Sequence, residues 1–407
     1  MRLKTVWQLA RKEIISTFRD RRALISNIAI PLVLMPLFML GMPLLLGNLF
    51  EQEAVNLTPV AVEGLEYLPA DLRELLEASL LELQETADAE AAVRDRDVQA
   101  SLKVPEGFAA DLAADRTPQL VHYTLLGNMQ SELAGGKLDA AISVYRDRLV
   151  EDRVLAAGLT KDTLQPLQLV TRDASSEQQR SSGMLGWMIP FFIAMWALMG
   201  GQMTAIDATA GEKERGTMEA LLVTPVSRLE VVFGKWLATL LFGLLATLAA
   251  VSGYLLGGAA ARRFAQGDPE AGASFASVMG GSLKITPQVA GELLLSSVLL
   301  TGFIAALLLF ISIFARSFKE AQSYVGPLSL VLVVPAVGMQ FRDFFDIGLA
   351  LYAVPIMNAL LAMFDTVQGT ARIDALLLTW GSTLTYTVVL LFFAWQNFRR
   401  EGVIFRT

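Results

Sequence analysis

The sequence predicts an all-α polytopic membrane bundle, with six transmembrane helices plus a re-entrant outer element and an inserted external α+β domain. Three observations predict it. Hydrophobic residues make up 54 % of the 407-residue chain and charged residues only 18 %, against about 25 % charge in soluble domains. Seven long apolar stretches recur, at roughly 24–49, 184–206, 236–260, 288–315, 323–341, 347–364 and 373–397. Between the first two lie 133 residues, 51–183, whose composition is that of a water-soluble domain.

The composition also excludes chemistry. There is no cysteine and a single histidine, His122. Disulfides, thiolate metal sites, cysteine nucleophiles and an H-E-x-x-H protease are therefore ruled out.

In order along the chain, residues 1–22 come first. Leu3, Val6, Trp7, Ala10, Ile14 and Phe18 recur at three- and four-residue spacing, with Lys4, Arg11, Lys12 and Arg19 largely elsewhere. That is a basic amphipathic helix suited to the headgroup layer, with Trp7, Arg11, Phe18 and Arg21 as its candidate contacts; a plain positive-inside anchor is the blander reading. The first span, 23–50, is expected to act as an uncleaved anchor, since no A-x-A-like site closes its apolar run.

Residues 51–183 carry 24 acidic against 12 basic side chains. A solvated acidic surface explains this, and a cation-attracting vestibule is the sharper alternative. Alternation at 98–104 predicts a strand, 58–62 and 118–125 look like others, and 70–86 and 137–156 have helical apolar spacing.

After the second span, 184–206, the loop 207–235 is the most informative stretch. Glu212, Arg215 and Glu219 fall on one helical face, Met218, Leu221 and Leu222 on another. Thr224-Pro225 stops the helix, and Ser227-Arg228-Leu229-Glu230 is a capping-box pattern that restarts one. The expectation is a short helix over 212–223 with a free charged face on which a soluble partner can push.

Four further spans occupy 236–398, interrupted by the shorter 345–368 segment. A span needs about 20 apolar residues, and Pro355 and Asn358 break this one, so it is read as re-entrant. Lys and Arg bias sets the orientation: segments 1–23, 207–235, 316–322 and 399–407 hold sixteen, the opposite short loops five. Both termini are then cytoplasmic and 51–183 external, in a prokaryotic plasma membrane.

Ionisable residues inside spans are functional candidates. Glu292 begins the fourth span; Asp343, Asp346, Asp365 and Asp374 flank the re-entrant segment as interfacial residues, and Asp207 ends the second span. The last span sets Thr379, Ser382, Thr383 and Tyr386 close to one face. Interhelical hydrogen bonding explains these hydroxyls, and a transport path for a hard cation through Glu292, Thr379, Thr383 and Tyr386 is the alternative. Pro31, Pro36, Pro43 and Pro190 free carbonyls and allow bends.

The run GEKERGTMEALLVTPVSRLEVVFGKW, residues 211–236, resembles the coupling-helix segment of type-2 ABC exporter permeases. The layout resembles that family too, with RDRRALISNIAIPLVLMP after the amphipathic helix, and VQASLKVPEGF, SFKEAQSYVGPLSLVLVVP, YAVPIMNALL and FRREGVIF resemble its sodium-efflux branch, the NatB type. The resemblance spans essentially the whole chain. It implies a separate ABC ATPase subunit and a second permease chain, as homo- or heterodimer. Glu212, Glu214, Arg215, Thr217, Met218, Glu219 and Leu222 are then the ATPase-coupling residues, and sodium is the transported ion, related branches exporting drugs, peptides or lipids.

No G-x-x-x-x-G-K-[ST] phosphate cradle occurs; Gly135-Gly136-Lys137-Leu138 lacks the spacing and the hydroxyl. The chain is therefore expected to catalyse nothing and to hold no cofactor, with ATP and Mg2+ on the partner. Membrane lipid is an expected contact and nucleic acid is not. The rival classes are an external-signal receptor, weakened because the largest inner loop has only about 30 residues and offers no output domain, and an envelope-assembly scaffold.

Overall fold

The computed structural model describes residues 1–38, 40–41, 56–114, 116–125, 128–159, 176, 178–179, 185–267, 286–344 and 347–399. The chain divides into two compact units, Met1–Leu45 with Ala174–Thr407, and Leu46–Asp173.

Helix α1, Leu3–Arg19, buries Val6, Ala10 and Glu13, one line at four- and three-residue spacing. Leu3, Trp7 and Phe18 stay exposed. The apolar set is thus split, with Val6 and Ala10 buried and Leu3, Trp7 and Phe18 facing outward, and a carboxylate sits on the buried side. Helix α2, Ile25–Phe38, opens with a π turn over Ile25–Ala29. The rest of the expected first span, 42–50 with Pro43, lies outside the described residues.

The second unit is built on a four-stranded sheet of order β2-β1-β3-β4. Strand β1, Thr58–Glu63, is followed by α3, Ala70–Ala78, then β2, Leu81–Glu85, and α4, Ala89–Arg94. Next come β3, Ala100–Lys103, α5, Phe108–Ala113, β4, Val121–Thr124, and α6, Met129–Ala156. β1 pairs in parallel with β2 and β3, and β4 closes the edge antiparallel to β3. Parallel strands need covering on both faces. Val60 and Val62 of β1 meet Leu72, Leu76 and Leu138 on one side; Ala61 meets Val93 and Val98 on the other.

The expected helix over 70–86 is corrected here. It ends at Ala78, Leu80 takes φ 61°, and the chain turns into β2. Helical spacing in ADLRELLEASLLELQET is real, but pairing with β1 buries Leu81 and overrides it, as tertiary context routinely does.

In the first unit, α7, Leu185–Ile206, lies at the centre, with Pro190 inside it. After it come α8, Thr217–Val223, α9, Arg228–Gly267, α10, Pro287–Ser312, α11, Phe318–Val325, and α12, Leu328–Gly338. Two last helices complete the unit: α13, Met357–Gln368, and α14, Ile373–Arg399. α7 packs on α9, α10, α12 and α13. Lipid supplies no hydrophobic drive between helices, so small residues that let backbones touch set such interfaces. A Cβ on Gly200 of α7 would lie 2.4 Å from Ala246 Cβ and 2.7 Å from the Phe242 carbonyl of α9.

Five helices among the described residues are long and apolar enough to cross a membrane: Gly186–Glu214, Arg228–Ala260, Pro287–Ser312, Phe318–Gly338 and Ile373–Arg399. Ile25–Phe38 is a shorter apolar helix. Segment 316–322, expected as a link, already enters α11: Ser317 accepts from the Glu320 backbone N–H as its N-cap. α13 holds 12 residues, about 18 Å at 1.5 Å per residue, well short of a ~30 Å hydrocarbon core. It follows a 3-10 turn over Leu349–Ala353, and Ile356 before it takes φ 71°.

Candidate functional site

The turn between α7 and α9 is built in four steps. α7 runs on into a π turn, Asp207–Gly211, whose extra residue per turn re-aims the chain beyond it. Glu212–Glu214 form one further helical turn. Gly216 then takes φ 69°, with nothing within 4 Å of where a Cβ would stand. Only its left-handed dihedral demands glycine there. α8 comes next, Thr224-Pro225 ends it, and Ser227 and Glu230 close the expected capping box: the Glu230 N–H donates to Ser227 Oγ at 3.2 Å and the Ser227 N–H to Glu230 Oε2 at 3.1 Å. The backbone N–H of Arg2 donates to the other Glu230 oxygen at 2.5 Å.

The expected continuous helix over 212–223 is therefore two pieces bent at Gly216, and the expected shared charged face does not exist. Glu212 is 2 % exposed. Arg215 is exposed but folds back over Gly211 onto Asp207, Nη1 to Oδ1 2.8 Å. Glu214 is exposed and accepts from the Phe318 N–H at 2.8 Å, which ties the turn to α11. Thr217 and Glu219 are exposed. Met218 is buried among Val231, Val232, Ala306, Ile313, Leu391, Ala394 and Phe398. The side chain of Leu222 lies outside the described residues. Val223, at the tip, is 88 % exposed.

Beneath this elbow lies a cluster that the sequence did not announce. Lys235 of α9, 2 % exposed, places Nζ 2.5 Å from Glu212 Oε2, 2.6 Å from the Ala208 carbonyl and 3.4 Å from Glu13 Oε1. Lys12 Nζ reaches Glu13 Oε1 at 3.3 Å and also bonds Glu212 Oε1. Two ammoniums and two carboxylates balance. Burial works against the Lys12 charge, but the Glu212 and Glu13 carboxylates outweigh it and raise its pKa above the ordinary lysine value. A buried charge is tolerated only when paired and hydrogen-bonded. The four groups come from α1, the elbow and α9, so none of these can shift alone without stranding a charge.

The other candidates lie apart from the elbow. On α1, Trp7, Arg11 and Phe18 are exposed, with the Phe18 ring 5.2 Å from that of Phe242; Arg21 is exposed just after it. Glu292 accepts from Gln288 at 2.9 Å. Thr379, Thr383 and Tyr386 converge with Ser382 on the irregular segment before α13. Asn358 Nδ2 donates to Ser382 and Thr383 hydroxyls at 2.9 Å each, Thr379 donates to the Tyr352 carbonyl at 3.4 Å, and Tyr386 to that of Ala353 at 2.7 Å. Asp365 is 3 % exposed and holds Tyr352 OH and Arg342. Asp374 pairs with Arg372. Asp346 and the Asp343 side chain lie outside the described residues.

Two signals could have found the cluster. Glu13 is the one acid between Arg2 and Arg19 and lies in line with Val6 and Ala10. Lys235 directly adjoins the apolar span that begins at 236, where a buried ammonium needs a partner.

The comparisons with known proteins agree with one another. A family model described as ABC-2 family transporter protein matches residues 7–402. The ABC transporter permease protein NatB of Bacillus subtilis (strain 168) is 28 % identical over 387 residues, covering 94 % of each chain. No solved structure gives a significant match.

Proposed function

The chain belongs to the ABC-2 family of transporter proteins, as a membrane-embedded permease subunit rather than an ATPase, and from that premise we propose that it couples ATP hydrolysis on a separate subunit to the export of sodium. The carrying observation is the elbow. α8 offers an exposed tip, with Glu219 and Val223, while Glu212 and Met218 anchor its base into α1, α9, α10 and α14. A push on the tip is thereby delivered to several helices at once. ATP and Mg2+ belong to the partner, and two permease chains with two ATPase subunits make the working assembly.

The elbow faces the cytoplasm in this reading. Supporting that, the basic segments 1–23, 207–235 and 316–322 and Arg399 gather at one end of the bundle: α1 packs on α9, Lys213 bonds the Ala315 carbonyl, and Phe398 packs near Met218. Because the chain has no cysteine, Ala220→Cys and Lys319→Cys should resist an impermeant thiol reagent added outside intact cells, while Arg73→Cys reacts. Labelling of position 319 from outside would reverse the orientation.

Sodium is supported by the net −12 of residues 51–183 and by the branch resemblance. In vesicles holding the chain and its ATPase, sodium should raise ATP turnover and be transported. A second reading, export of a lipophilic molecule, is favoured by an apolar cavity of about 390 Å³ lined by Met35, Phe192, Leu248, Tyr254 and Leu294, within the ~300–1,000 Å³ range of small-molecule sites. If a lipophilic drug stimulates turnover and is transported while sodium does neither, that reading replaces the first.

A further inference from the structure

A second concavity is not used by either reading. A groove of about 530 Å³ runs between α9, α10 and α14, lined by Leu229, Phe233, Trp236, Leu384, Phe392 and Trp395 among others. The indole donor that α9 contributes is already satisfied, because Trp236 Nε1 donates to the Gly302 carbonyl at 2.9 Å. Leu384, Val388 and Phe392 are exposed at its side, so it opens laterally, where bilayer chains lie.

Its end is basic. Arg228 immediately precedes the lining residue Leu229, and the Arg399 guanidinium stands over a lining ring, 5.2 Å from the Trp395 centroid. Val231 and Phe398 share one cluster, which sets both arginines at the same end of the bundle. Among the described residues neither has a carboxylate partner. The same cluster holds Met218 of α8 and packs on Phe233, Trp236 and Trp395. An occupant of the groove therefore touches the side chains that seat the elbow.

We propose that this groove binds one acyl chain of an anionic glycerophospholipid, whose phosphate is held by Arg228 and Arg399, and that its occupancy tunes how firmly the elbow is seated. An apolar slot with Arg228 and Arg399 at one end, neither paired with a carboxylate among the described residues, matches a chain with an anionic head. A zwitterionic head brings a cation of its own against the arginines and gains less.

The test places the full chain in phosphatidylcholine nanodiscs doped with phosphatidylglycerol or phosphatidylcholine probes that carry the same photoactivatable chain. Crosslinks are mapped by mass spectrometry. The phosphatidylglycerol probe should label peptides covering 229–240 and 384–395 at least several-fold more than the phosphatidylcholine probe. Arg228→Gln and Arg399→Gln should each cut that preference about fivefold, the weight of one basic side chain at an anionic surface. Val388→Trp, which fills the groove, should remove these crosslinks with either probe while leaving others. Equal labelling by both probes, or a preference that survives both arginine variants, would mean ordinary bilayer contact and overturn the proposal. So would labelling elsewhere with these peptides silent, the outcome expected if a second permease chain covers the groove.

Discussion

Two polar networks tie the helices together, and they are built in opposite ways. Under the elbow, Lys12, Glu13, Glu212 and Lys235 join three separate pieces of chain through full charges. Beside α13, Asn358, Thr379, Ser382 and Thr383 join two pieces through neutral amide, hydroxyl and carbonyl groups. Neutral groups of this kind find substitutes readily; double-mutant measurements on such membrane hydrogen bonds average about 0.6 kcal/mol. Charges do not, because removing one partner strands the other in low dielectric. The first network is thus a latch that moves as a whole or not at all, the second a fastening that yields locally.

The largest expected effect tests the latch. Lys235→Met leaves two buried carboxylates with Lys12 alone and should destabilise the chain by about 3–5 kcal/mol, read as a lowered melting temperature in detergent. Asn358→Ala should cost less, about 0.6–1.7 kcal/mol, and leave coupling between ATP turnover and transport intact. If Asn358→Ala cost more than Lys235→Met and also uncoupled transport, the roles of the two networks would be exchanged.

Gly216→Val sharpens the comparison at the hinge. A β-branched residue at φ 69° should cost about 1–2 kcal/mol and tilt α8, so ATPase co-purification should fall more than stability does. Smallest in stability is Glu219→Ala, on an exposed surface where changes stay within about 0.5 kcal/mol. Its effect should appear only with the partner, as weaker ATPase binding. Unchanged binding and unchanged transport per ATP in Glu219→Ala would remove this face from the interface.

What was legible in the sequence was local. The stop at Pro225, the capping box at Ser227 and Glu230, the apolar anchor Met218 and the strands near 58, 100 and 121 each depend on neighbours a few residues away. Most of what was missed was paired at long range. Glu212 reads as a surface acid until Lys12, 200 positions away, and Lys235, 23 away, are brought to it. β2 reads as the end of a helix until β1 lies beside it. Gly216 reads as a helix interior because apolar spacing continues across it, and spacing carries no sign of φ. The hydroxyls of α14 read equally as ion path or fastening; their hydrogen bonds run to Asn358 and to the carbonyls of Tyr352 and Ala353.

One contact has a mechanical corollary. α9 is 40 residues long, about 60 Å at 1.5 Å per residue, and it meets α7 backbone to backbone where a Cβ on Gly243 would lie 3.0 Å from the Ala197 carbonyl. If that crossing is the fulcrum, the arm toward Arg228 is about 22 Å and the arm toward Gly267 about 36 Å. A rigid rod so divided turns a short, forceful stroke at the elbow into a stroke about 1.6 times longer at the opposite end, a gearing set by where Gly243 falls along its helix.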